Sequence, residues 1–129
     1  MTYVDSSVML AHLLVEPRRP APAFWRRDLM SSVLLAYEVW NRIHARGLTG
    51  THGEAAREAL ARVAMVPFDD HVLRRALDPF PLPVRTLDAL HLSTLVHILG
   101  TRGPVELATY DRRMADAAAA LGLPLASLA

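Results

Sequence analysis

Cysteine is missing from all 129 residues, so the chain has neither a disulfide framework nor thiolate chemistry. The absence is compatible with a reducing cytoplasm, and a cytoplasmic protein is the expectation. Lysine is missing too, and the fourteen basic residues are all arginine. With abundant Ala, Leu and Pro, this fits a GC-rich coding sequence. No apolar run approaches the roughly 18 residues that a membrane-spanning helix needs, so no membrane association is expected. The opening Met1-Thr2-Tyr3-Val4-Asp5 lacks the basic segment and apolar core of a signal peptide. There is no Gly-rich phosphate loop and no G-x-S-x-G elbow. The six histidines have no cysteine partners, which argues against a zinc site. A formal charge of +1 indicates no strong global attraction to nucleic acid.

What remains is ordinary globular composition, with 52% hydrophobic and 21% charged residues. The length suits a single domain over residues 1–129 with a sizeable core. Short β-prone runs alternate with helical patterns. Thr2 to Asp5 is followed by Ser6-Ser7 and a helix ending by Glu16, since Pro17 disfavours helix before it. Pro22 opens a short helix with Phe24 and Trp25, and "LMSSVLL" is a second strand running into "LAYEVWNRIHAR", stopped by Gly47. "LTGTHG" reads as a turn with Thr51 capping the next helix, and "AMVPF" as a strand demoted by Pro67 to an edge or an end. Asp69 or Asp70 begins a helix to Leu77, followed by the irregular "DPFPLPVR". A helix from about Thr86 to Leu99, the strand "VELATY", a helix from Arg112 to Leu121 and a last strand "LPLASL" complete the chain. The alternation predicts an α/β sandwich with a mainly parallel sheet, whose ligands bind beyond the carboxyl ends of the strands.

Within that pattern, "RTLDALHL" is anomalous. Asp88 heads the helical stripe Leu92, Leu95, Leu99, and an ionised group on a core-facing stripe is costly unless something compensates it. Asp5 and Asp111 fall at strand ends, and Glu38 lies early in the helix after the second strand. Each has an ordinary reading alone. Asp5 and Asp111 serve as helix caps, Glu38 pairs with Arg42 across one turn, and Asp88 complements Arg85 or the helix dipole. Together they fall where a doubly wound fold gathers them. Clustered carboxylates repel and raise one another's pKa, so a pocket holding four calls for a cation. Oxygen-only ligation favours Mg²⁺ or Mn²⁺, ions that activate water and stabilise charge on a phosphoryl group.

The runs "YVDSS", "SVLLAYEVWNR", "RTLDALHLSTL" and "LATYDRRMADAA" resemble the PIN domain, and more closely the VapC toxins of bacterial toxin–antitoxin pairs. The likeness spans essentially the whole chain, with all four acidic positions in order. It implies a three-layer α/β/α sandwich and a metal-dependent endoribonuclease. Asp5, Glu38, Asp88 and Asp111 then form the catalytic, metal-binding pocket for Mg²⁺ or Mn²⁺. Ser7 is implied as a polar residue behind the ligands or against the substrate, while Asp116, five residues and more than one helical turn beyond Asp111, reads as lying behind the ligands or on the surface. The resemblance also implies an RNA substrate, a homodimer and a cognate VapB-like antitoxin. Two other readings use the same residues. One is a catalytically silent PIN-like binding module, and the other a phosphatase or DNA nuclease with the same metal pocket.

Several residues lie outside that set. His91 shares the face of Asp88 and reads as a core histidine bonded to backbone rather than as a proton donor. Arg85, Arg112 and Arg113 flank the predicted pocket and suit RNA phosphates or solvent-exposed ion pairs. Trp40 reads as core. Phe24 and Trp25 read either as core or as part of a groove for a partner helix.

Overall fold

The computed structural model describes all 129 residues. Four strands, β1 (Thr2–Val4), β2 (Leu29–Ser32), β3 (Ala64–Val66) and β4 (Glu106–Ala108), form one sheet in the order β3-β2-β1-β4. Every pairing is parallel, with Tyr3 opposite Met30 on one side and Leu107 on the other. The helices are α1 (Ser6–Leu13), α2 (Leu34–Ala45), α3 (Thr49–Ala61), α4 (Asp70–Leu77), α5 (Thr86–Thr101) and α6 (Arg112–Ala120), with a 3-10 turn at Pro22–Arg26.

Strand residues point alternately to opposite faces, so each strand feeds two cores. Val4, Leu29 and Ala108 join Val8, Leu35, Val39 and Ile43 beneath α1, α2 and α3. Tyr3, Met30 and Leu107 join Leu92, Leu95 and Met114 beneath α5 and α6. The result is the expected three-layer α/β/α sandwich with a parallel central sheet. No helix is long and apolar enough to cross a membrane. The edge position expected from Pro67 holds, since β3 lies at the end of the sheet.

Several boundaries differ from the sequence reading, each for a local reason. The second strand ends at Ser32, because the Ser32 hydroxyl accepts the N–H of Leu34 at 3.0 Å and turns the chain into α2. Helix α1 ends at Leu13, before Glu16 as expected. There the N–H of Glu16 folds back onto Ala11 O at 2.9 Å, and Val15 takes a positive φ of 51°. "LTGTHG" is not a turn but the start of α3, and Thr51 donates its hydroxyl to Leu48 O instead of capping. In α5 the inward stripe continues through Ile98, fully buried, while Leu99 is exposed. The fourth strand stops at Ala108, where the Thr109 hydroxyl accepts the N–H of Asp111 at 2.9 Å. "LPLASL" contributes only a single bridge, Leu125 to Leu107.

The chain runs outward from β1 through β2 to β3, then returns to add β4 on the other side of β1. That reversal opens a crevice beyond the carboxyl ends of β1 and β4, the usual ligand position in such sheets.

Candidate acidic site

Asp5 is the first residue after β1, and Asp111 lies three residues beyond β4. The two strand ends are stitched together. The N–H of Asp5 donates to Ala108 O at 3.0 Å. Ser7 and Thr109 both donate hydroxyls to Asp5 Oδ2, each at 2.7 Å. Ser7 Oγ in turn accepts the N–H of Tyr110 at 2.9 Å. Asp5 is 5% exposed and makes no cap bond to α1, so the ordinary reading of it as a helix cap fails. Asp111 does cap α6, its Oδ1 accepting the N–H of Arg113 at 2.9 Å and of Met114 at 3.3 Å. A capping carboxylate keeps its second oxygen free, so capping does not remove Asp111 from the crevice chemistry.

Glu38 sits in the second turn of α2 and does not pair with Arg42. Ser6 Oγ donates to its Oε2 at 3.1 Å, and His91 Nε2 contacts its Oε1. His91 is buried as expected, but its partners are side chains, Glu38 and Tyr3, not backbone. Asp88 lies in the first turn of α5. Its carboxyl is pushed above the usual range, first by desolvation and then by the charges of Asp111 and Asp5, with His91 acting the other way. Electrostatically, Asp88 therefore feels two of the other acidic residues.

Asp5, Glu38, Asp88 and Asp111 line a single cavity of about 640 Å³. Its wall is mostly polar and includes Arg18, Arg42 and Arg85. The carboxylates supply only hard oxygen donors, which suit Mg²⁺ or Mn²⁺ in kind. In this conformation no three acidic or histidine side chains lie close enough together to grip one ion. The donor chemistry fits such a cation, and gripping one requires the side chains to close inward.

Other residues singled out in the sequence fall as follows. Ser7 lines the cavity and bonds Asp5. Arg85 is on the rim, while Arg112 is exposed and does not line the cavity. Arg113 and Asp116 line a separate depression with Leu82 and Pro83. Trp40 is half-buried against the core beneath α2 and α3, Phe24 is buried, and Trp25 is half-buried with its indole N–H buried and unpaired. Sequence reasoning missed Thr109, Arg18 and Arg42. The hydroxyl two residues before Asp111 was a readable signal for Thr109. Arg18 reaches the rim through a loop, bonding Tyr110 O at 3.4 Å and lying over the Tyr110 ring, which no periodicity announces.

A parallel three-layer sandwich with an acidic crevice at its switch point defines a class of α/β protein with a charged ligand site. The chain belongs to the PIN-domain family, whose sequence profile, described as "PIN domain", matches residues 2–120. Among its relatives it is 36% identical over 124 residues to Ribonuclease VapC46 of Mycobacterium tuberculosis (strain ATCC 25618 / H37Rv), covering 94% of this chain and 92% of that one. It is also 32% identical over 130 residues to Ribonuclease VapC35 of M. tuberculosis (strain CDC 1551 / Oshkosh), covering 95% and 93% of the two chains. Ribonuclease VapC47 of the latter strain is 28% identical over 134 residues, covering 98% and 96%.

Proposed function

We propose that the chain is a metal-dependent endoribonuclease, the toxin of a VapBC-type toxin–antitoxin pair. The observation that carries the reading is the convergence of four carboxylates, from the ends of β1 and β4 and from α2 and α5, on one polar cavity. The ribonuclease names of the relatives support RNA as the substrate.

Asp5, Glu38, Asp88 and Asp111 would hold Mg²⁺ or Mn²⁺, which lowers the pKa of a bound water and neutralises charge on the phosphate. The chain's own contribution is placement. Ser7 and Thr109 fix one oxygen of Asp5, which leaves the other to face the cavity. Asp111 is oriented by its capping bonds. Arg18, Arg42 and Arg85 offer guanidinium donors matched to phosphate oxygens and counter the negative charge an RNA strand would meet at the rim. No side chain acts as a covalent nucleophile, because hydrolysis by water needs none. A homodimer and a VapB-like antitoxin that blocks the cavity complete the proposal.

The test is cleavage of labelled RNA by the purified, antitoxin-free protein with Mg²⁺, Mn²⁺ or EDTA, beside Asp88→Asn. Discrete fragments that need metal and vanish in the variant are expected. An equally active variant would sink the assignment. DNA and a phosphomonoester in the same panel separate a ribonuclease from a DNA nuclease or phosphatase. Metal binding without cleavage of any of the three would favour the silent binding module.

A further inference from the structure

Tyr3, His91 and Glu38 come from β1, α5 and α2 and form one unbroken hydrogen-bonded line leading out of the core. Tyr3 is fully buried, His91 is 1% exposed, and the Glu38 side chain is 18% exposed. Tyr3 Oη accepts the N–H of Ser32 at 3.2 Å and lies 2.6 Å from His91 Nδ1. A tyrosine phenol is protonated at neutral pH and can donate. With that proton on the Nδ1 side, Tyr3 is the donor to the ring. A ring that accepts at Nδ1 carries its own proton on Nε2, the nitrogen facing Glu38.

We propose that His91 is a positioning residue, set by Tyr3 as the Nε2–H tautomer, that holds the Glu38 carboxylate at the acidic cavity as the fixed ligand toward which the other carboxylates close on a cation. The proposal rests on the acidic-cavity reading. The ring is too buried to reach a substrate, so proton donation to RNA is not its role. Glutamate has more side-chain freedom than aspartate, and it is the one long carboxylate of the four. Ser6 on Oε2 and His91 on Oε1 remove that freedom before a cation arrives, which lowers the entropic cost of binding. A partner that orients a metal ligand in this way typically changes affinity by about 10- to 100-fold when removed.

The experiment uses the full chain, with Mn²⁺ binding followed by calorimetry and folding by thermal melts. Glu38→Gln and His91→Leu should each weaken Mn²⁺ binding by about 10- to 100-fold. The double variant should lose little more than either alone, since both act through one contact. His91→Gln, whose amide N–H₂ occupies the place of Nε2–H, should recover most of the affinity. Independently of metal, ¹⁵N NMR of the wild-type imidazole should show the proton on Nε2, a readout that needs no variant to fold. Wild-type affinity in His91→Leu beside a weakened Glu38→Gln would overturn the proposal and leave the acidic cavity standing. A proton on Nδ1 would overturn it as well. Unchanged affinity in Glu38→Gln would remove Glu38 from the ligand set, and the role of His91 with it.

Discussion

Helix α5 carries an Asp–His association near each end, and the two behave in opposite ways. In its first two turns, Asp88 and His91 face the acidic cavity and the core. Toward its other end, His97 Nε2 lies 3.5 Å from Asp69 Oδ2, and its ring stacks on His71 with centroids 6.1 Å apart. The Asp88 carboxyl is pushed above its ordinary range by desolvation and by Asp111 and Asp5. The Asp69 carboxyl is drawn below it, first by the N–H of Val72 that it caps and then by the charges of His97 and His71. The same residue types thus give a costly carboxylate in the first turn of α5 and a comfortable one at the cap of α4, beside the far end of α5. The neighbours decide the sign. Two carboxylates surround the first, whereas a backbone donor and two imidazoles surround the second. On the proposed function, the costly end is the one inside the cavity, where a bound cation would relieve it.

The largest expected effect separates function from stability at that end. Asp88→Asn should lower metal-dependent RNA cleavage by about a hundredfold or more, the scale of removing a charge-stabilising group from an active site. The same substitution should raise the melting temperature of the metal-free protein near neutral pH. A carboxyl with a raised native pKa binds more protons folded than unfolded, so its ionisation destabilises the fold as pH climbs through that window. Calorimetric melts in EDTA check this, and a lower melting temperature for Asp88→Asn would contradict it. Next in size is Tyr3→Phe, which leaves the buried Ser32 N–H and His91 Nδ1 without their partner. A loss of about 1–3 kcal/mol in a urea titration is expected for the stranded buried donor. A loss near zero would mean that the line from Tyr3 to Glu38 is not held together as drawn.

The contrast between the two ends was only half legible in the sequence. Strand–helix alternation and the fall of Asp5, Glu38, Asp88 and Asp111 after strands or in early helical turns are local patterns, and local patterns can be read from one chain. They located the crevice because in a parallel sheet the position of a residue along its own strand fixes the edge at which it emerges. Partners are different. His91 bonds Tyr3 across 88 positions and Glu38 across 53, and periodicity could say only that it faces inward. Leu99 shows the same limit at finer grain. It lies within one turn of Leu95, yet the wider packing turns Ile98 inward instead. Arg112 adjoins Asp111 in sequence but does not line the cavity, while Arg18 and Arg42 arrive from a loop and from α2, one turn beyond Glu38. Proximity along the chain was a poor guide to the rim because each segment there comes from a different element.

The outer end of α5 should respond weakly, and that weakness is itself a test. The His97–Asp69 contact is partly exposed, so His97→Gln should change stability by less than about 1 kcal/mol in the same urea titration and leave RNA cleavage at the wild-type rate. Asp69→Asn is smaller still near neutral pH, because asparagine caps a helix about as well as aspartate and the bond to Val72 survives. Its small effect is present near neutral pH and fades on the acid side. A carboxyl with a lowered native pKa contributes stability above its unfolded value, and that contribution disappears as pH falls through the folded one. Wild type should therefore be slightly the more stable of the two near neutral pH, with the gap closing in acid. For Asp88→Asn the variant is the more stable near neutral pH, and that gap also closes in acid. Melting both variants across one pH series sets two differences of opposite sign side by side. Differences of the same sign would mean that the surroundings of the two carboxylates are not what distinguishes them.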